Sequence, residues 1–150
     1  MTVERICQRH VDVAVAEESV FVAAERMHQR TVGALVIVDD ANVPIGILTD
    51  RDLVTRSIAA GRDAYTTAIR DVMTPRPKTV LLETPIAQAL SLMRDGAFRR
   101  LLIVNGDGQL AGIVTLDDIL LFLSEQFGSV GKLLARETPQ AAAEPVKHSR

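Results

Sequence analysis

Two short polar signatures recur in the chain: Thr49 with Asp52 in GILTDRDL (46–53), and Thr115 with Asp118 in GIVTLDDI (112–119). A carboxylate three residues after a hydroxyl places two polar groups at the same helix end. An aspartate there can accept both hydroxyls of a ribose, while nearby backbone N–H groups suit a phosphate. The same spacing is that of a capping box, in which the threonine caps the helix and the acid reaches back to the cap's own N–H. On spacing alone the cap is the favoured reading, because any helix benefits from it.

Other candidates carry less. GDGQLAG at 106–112 approaches a dinucleotide fingerprint, but its spacing is one residue too long and it joins two strands. The acidic pairs Asp39–Asp40 and Asp117–Asp118 accommodate no twelve-residue calcium loop and read as solvated turn acids. Cys7 and His10 are close in sequence, yet no third group or oxyanion site accompanies them. His28 falls on the polar side of its helix, and Met27 and Met93 sit at helical spacing as core filling. No metal site is expected. Phe98 beside Arg99 and Arg100 is a lone aromatic-basic cluster, too small for a base-stacking nucleic-acid platform.

The composition sets the frame for these residues. The 150 residues are 47% hydrophobic and 24% charged, a globular balance with enough chain to bury its own core. Seventeen Lys and Arg against nineteen Asp and Glu give a net charge of −2, which argues against a broad nucleic-acid or anionic-membrane surface. One cysteine excludes an internal disulfide framework. No apolar run approaches the roughly 20 residues of a membrane helix, and MTVERICQRH lacks the apolar core of a signal peptide, so a cytoplasmic protein is expected.

What must position the two T-x-x-D motifs is an internal repeat. At an offset of 66 residues, positions 4–53 face 70–119 without a gap, and ten of the fifty pairs are identical, against about three or four by composition. Val20, Ala23, Ala24 and Met27 follow the i, i+3, i+4, i+7 spacing of a helix face, as do Ile86, Ala89, Leu90 and Met93. Helix starts are expected at Ser19 and at Thr84–Pro85. Apolar runs follow at Ala34–Val38 and Leu101–Val104, then a polar turn, then Ile45–Leu48 and Leu110–Val114. Second helices begin near Asp50 and Leu116 and are expected to end at Gly61 and near Gly128. With a short strand ahead of each first helix (Asp12–Val15, Thr79–Leu82), each unit reads β-α-β-β-α. Such a unit cannot cover its apolar faces alone, so the fold class is α/β (α+β) with two repeats packed in pseudo-twofold symmetry. The expected organisation is repeat 1 over 1–60, a linker over 61–68, repeat 2 over 69–127, and a short helix with a frayed tail over 128–150.

Two such repeats carrying GILTDRDL and GIVTLDDI, with DVMTPRPKTV and FRRLLIVNGDGQLAGIV, resemble a pair of CBS domains (cystathionine-β-synthase type), often called a Bateman module. The resemblance covers residues 3 to about 127. It implies that Asp52 and Asp118 bind the ribose of an adenosine nucleotide, with Thr49 and Thr115 assisting and Ile47 and Ile113 packing on adenine. It also implies clefts shared by both repeats. The Asp52 cleft would include Arg99 and Arg100 against phosphate, with backbone from Thr74 through Pro77 to Lys78. The Asp118 cleft would include Gly33 and Ala34, with backbone at His10, Val11 and Asp12. Apart from the resemblance, Arg99 and Arg100 read somewhat better as a strand-edge pair in ordinary surface ion pairs.

The function expected from the resemblance is regulatory and not enzymatic. The module would bind AMP, ADP, ATP or a related adenosyl ligand, require no cofactor, and act through a regulated partner or self-association. The alternative is a ligand-free interaction scaffold in which T-x-x-D is only a cap. A homodimer is expected, because Leu53, Val54 and Ile58, and Ile119, Leu120, Phe122 and Leu123, exceed what one buried face requires. With no charge in the Gly33–Ala34 cleft, phosphorylated ligands are expected to prefer the Asp52 cleft.

Overall fold

The computed structural model describes residues 1–137, and no helix in them is long and apolar enough to cross a membrane. The tail TPQAAAEPVKHSR lies outside them. The first repeat runs β1 (Val13–Ala14), α1 (Val20–Arg30), β2 (Ala34–Val38), β3 (Pro44–Thr49) and α2, which starts at Asp50–Asp52 and continues as a π-helix over Leu53–Ile58. β4 (Thr74–Pro75) follows a linking segment. The second repeat then gives β5 (Thr79–Leu81), α3 (Ile86–Gly96), β6 (Arg100–Val104), β7 (Leu110–Thr115) and α4 (Leu116–Glu137). The bounds of α1, β2 and β3, moved by 66 residues, fall on those of α3, β6 and β7.

Each sheet has a parallel β1–β2 or β5–β6 pair and an antiparallel β2–β3 or β6–β7 pair. The repeats also exchange strands. β4, from the start of the second repeat, pairs with β3 of the first through Ile47 and Thr74. Reciprocally, Gln8 bridges Ile113 on β7, with hydrogen bonds of 2.9 and 3.0 Å in the two directions. The bridges Thr2–Pro85 and Ser19–Ala68 form a second symmetric pair.

The first core contains Ala14, Val20, Ala23, Met27, Leu35 and Leu48, so three of the four expected α1 positions point inward. Ala24 and its counterpart Leu90 are exposed, since each helix buries a narrower stripe than its spacing suggests. Between the sheets, Val36, Val38 and Leu102 are buried with Val11, Ile47, Leu110 and Ile113 packed against them.

Helix ends depart from expectation in two places. Ser19 caps α1 by accepting from the Val22 N–H at 3.2 Å, but Thr84 does not cap α3. Pro85 takes the cap position, while the Thr84 hydroxyl accepts from Leu81 N–H and closes the preceding turn. Gly61 follows the π-helix in a left-handed conformation (φ 71°), as its type suits. Gly128 ends nothing: α4 passes through it and Gly131 to Glu137. Glycine weakens a helix interior by about 1 kcal/mol but stops it only where the backbone turns left-handed, which Gly128 does not. Contacts divide the chain into Met1–Ile119, which holds both sheets, and a second unit from Leu120 onward.

Candidate functional site

Both T-x-x-D motifs fold as capping boxes. Asp52 N–H donates to Thr49 Oγ1 (3.2 Å) and Thr49 N–H donates to Asp52 Oδ2 (2.9 Å). Asp118 N–H and Thr115 N–H repeat the pattern at 3.1 and 2.8 Å. Each carboxylate thus spends one oxygen on its own helix, and the second oxygen distinguishes the copies.

Asp52 Oδ1 faces Arg56 Nε at 3.7 Å, beyond hydrogen-bond distance, with the carboxylate 14% exposed. Arg56 also donates to Val72 O and Thr74 Oγ1, both at 3.2 Å, so it ties the Asp52 helix to the strand-exchange segment. Asp118 Oδ1 instead accepts a direct bond from Gln8 Nε2 at 3.1 Å. Position 56 corresponds to Phe122 in the other repeat, so that repeat supplies no cation of its own at this position.

Asp52 lines a cleft of about 430 Å³ between the repeats. Ile47 and Thr49 come from β3 and Thr74, Pro77 and Lys78 from the exchange segment, with Arg99 and Arg100 at the start of β6. The structure therefore gathers the whole group expected around Asp52, with Arg76 lining it from within the expected 74–78 segment, and adds Phe98. Arg76 holds a left-handed backbone (φ 53°) and donates its N–H to Ile45 O at 3.2 Å, which fixes the loop against β3. Arg99 is exposed and reaches Asp117 at 3.5 Å, the surface pair expected as its alternative role.

A second cleft, of about 250 Å³, brings together His10, Val11, Asp12, Gly33, Ala34, Ile113 and Thr115, as expected. Two expectations do not hold there. Asp118 is not among the lining residues, its outer oxygen being turned to Gln8, and the cleft is not free of charge. Arg100 and Ile47 line both clefts, because the first residue of β6 and the middle of β3 lie in the wall between them.

Asp12 in this cleft is matched by Arg30 at 2.8 Å, and His10 Nε2 lies 2.6 Å from the same guanidinium. The sequence reading missed Gln8, yet it occupies the repeat position of Thr74, so the 66-residue offset contained the signal. Among the described residues no group of three or more His, Cys, Asp or Glu side chains is placed to hold a metal ion.

Residues 3–58 and 69–125 each match the CBS domain family. YlbB of Bacillus subtilis is 40% identical over 110 residues, covering 73% of this chain and 72% of that protein. A Methanopyrus kandleri protein is 36% identical over 120 residues, or 80% of this chain, which spans 61% of that relative's length. Among solved structures, CBSX2 in complex with AMP aligns at a TM-score of 0.71 and 27% identity, covering 83% of this chain and 96% of that one. Hypoxic Response Protein I, solved with two coordinated zinc ions, aligns at 0.71 and 30% identity over 80% of this chain and 97% of that one. Matched twice, over most of its length, the chain belongs to the CBS domain family and carries two such domains in tandem.

Proposed function

We propose that the protein is a regulatory module, not an enzyme, that binds an adenosine nucleotide in the Asp52 cleft and passes the signal on through self-association or a partner protein in the cytoplasm. The observation that carries this reading is the lining of that cleft: one carboxylate with an oxygen to spare, four basic residues, and the apolar surfaces of Ile47, Pro77 and Phe98. Asp52 Oδ1 accepts the ribose hydroxyls, the apolar residues pack on the base, and Arg99, Arg100 and Lys78 meet the phosphates. The volume falls inside the roughly 300–1,000 Å³ typical of small-molecule sites. The AMP complex of the related CBSX2 supports the choice of ligand.

Thermal melts and calorimetry with adenosine, AMP, ADP and ATP test the reading. A nucleotide at 100 times its Kd stabilises the protein by about 2.7 kcal/mol. Arg100→Ala is expected to weaken AMP about ten- to hundredfold, the worth of a charge-assisted bond, and adenosine far less. Absence of any shift at millimolar nucleotide would leave the capped, ligand-free scaffold as the better account.

A further inference from the structure

Arg100 is the one cation that lines both clefts. Its Nη1 is buried and has no hydrogen-bond partner among the described residues. Leaving a buried polar group unsatisfied costs about 1–3 kcal/mol, and more for a charged one, so an acceptor from outside the chain has a strong hold on it. Arg30 beside the smaller cleft is paired with Asp12, while at the larger one Arg56 faces Asp52 at 3.7 Å and Arg99 faces Asp117 at 3.5 Å.

In the smaller cleft the acid is therefore already neutralised, and the charge left without a counterpart belongs to Arg100. The cleft's volume, about 250 Å³, lies below the roughly 300–1,000 Å³ typical of small-molecule sites. Its ribose acceptor is also missing, since Asp118 is bonded to Gln8 and lies outside the lining. The walls of Val11, Ala34, Val36 and Ile113 exclude water from one side of any anion there, which strengthens a guanidinium contact.

We infer that the smaller cleft is a site for a small phosphate-class anion, and that this anion competes with the phosphate of the nucleotide in the Asp52 cleft for the single Arg100 guanidinium. The competition clause rests on the nucleotide reading of that cleft; the anion site does not. Arg100 opens β6 in register with Thr115 of β7, so its Cα is fixed by the sheet and the side chain has one short reach to divide between two cavities. An anion in one cleft takes the donors the other needs. The module would then report nucleotide against free phosphate, not nucleotide alone.

The test is calorimetry with inorganic phosphate as the probe, on the full chain. Phosphate is expected to bind the wild type and Lys78→Ala alike and to lose binding in Arg100→Gln. Ala34→Leu, which fills the smaller cleft, and His10→Glu, which adds an opposing charge from its exposed rim, should each abolish it; two variants guard against a folding defect in either.

AMP is then titrated with phosphate held at twice its own Kd. Full exclusion raises the apparent AMP Kd about threefold in the wild type and leaves it unchanged in Ala34→Leu. Phosphate binding that survives both Ala34→Leu and His10→Glu but disappears in Lys78→Ala would place the anion in the larger cleft and overturn the inference. An AMP Kd unmoved by bound phosphate would overturn the competition. If AMP fails to bind while phosphate still titrates through Arg100 and Ala34, the nucleotide reading falls and the anion site stands.

Discussion

A carboxylate has more lone pairs than a helix cap consumes, and this allows Asp52 two roles at once. Oδ2 closes the capping box and Oδ1 remains for the cleft, while Asp118 in the same box gives its second oxygen to Gln8. The two roles separate by measurement. Asp52→Ala and Asp118→Ala each remove the acid half of a capping box and should each lower stability by about 1 kcal/mol in chemical denaturation. Only Asp52→Ala should also abolish adenosine binding in calorimetry. Equal losses of binding in the two variants would show that both carboxylates serve ligand, against the geometry. The motif itself was legible in the sequence, and so was the group around Asp52. What spacing could not show was the fate of the second oxygen, because Gln8 lies 110 residues from Asp118 and reaches it only through strand exchange. Nor could it show Arg100 serving two cavities, since a wall has two sides only once both sheets are placed.

At the scale of elements, the 66-residue offset made most of the fold readable: helix and strand bounds agree within one or two residues wherever periodicity is strong. The exchanged strand β4 was not readable, because two residues carry no period and their partner lies in the other repeat. The left-handed turns after α1 and α3 escaped too, since Thr31 and Ala97 hold them with φ of 54° in place of the usual glycine.

One ion pair anchors α1 to the segment before it. Arg26 grips Glu18 with both terminal nitrogens, at 3.0 and 2.6 Å, and also donates to Val13 O, while Glu18 accepts from Val15 N–H. The Arg26 hydrogen bonds hold the Glu18 carboxyl below its usual 4.5, against the opposing effect of partial burial. A depressed carboxylate contributes stability above its unfolded pKa and loses it as pH falls through the folded value. Glu18→Gln should therefore destabilise the protein at pH 7 and flatten the fall in stability below about pH 4.5, as read by urea midpoints across pH. An unchanged acid limb would mean that the pair contributes nothing.

At the scale of the whole molecule, α4 carries a run of exposed apolar side chains among the described residues. Leu120, Leu123, Phe127 and Val130 follow each other at alternating steps of three and four, the seam of a coiled coil, and Leu120 and Phe127 are 53% and 75% exposed. Glu125 and Lys132 fall on the opposite side of the helix, where a seam requires polar residues. Ile119, one of the residues expected at an interface, is already buried at 1% exposure and cannot contribute. Val54 and Ile58 remain exposed on the π-helix, whereas Leu53 is buried. The surface open to a second copy therefore keeps Leu120 and Leu123 of the expected set and extends along α4 to Phe127 and Val130. Three turns of seam are marginal for an isolated coiled coil, so association should be reversible and concentration-dependent. Light scattering is expected to show a dimer that dissociates on dilution, and Leu120→Glu with Phe127→Glu should give a monomer at every concentration. Both positions lie outside the Met1–Ile119 unit that holds the clefts, so phosphate and AMP binding should survive the double substitution. A wild type that stays monomeric at high concentration would remove self-association as the output and leave a partner protein as the reader of α4.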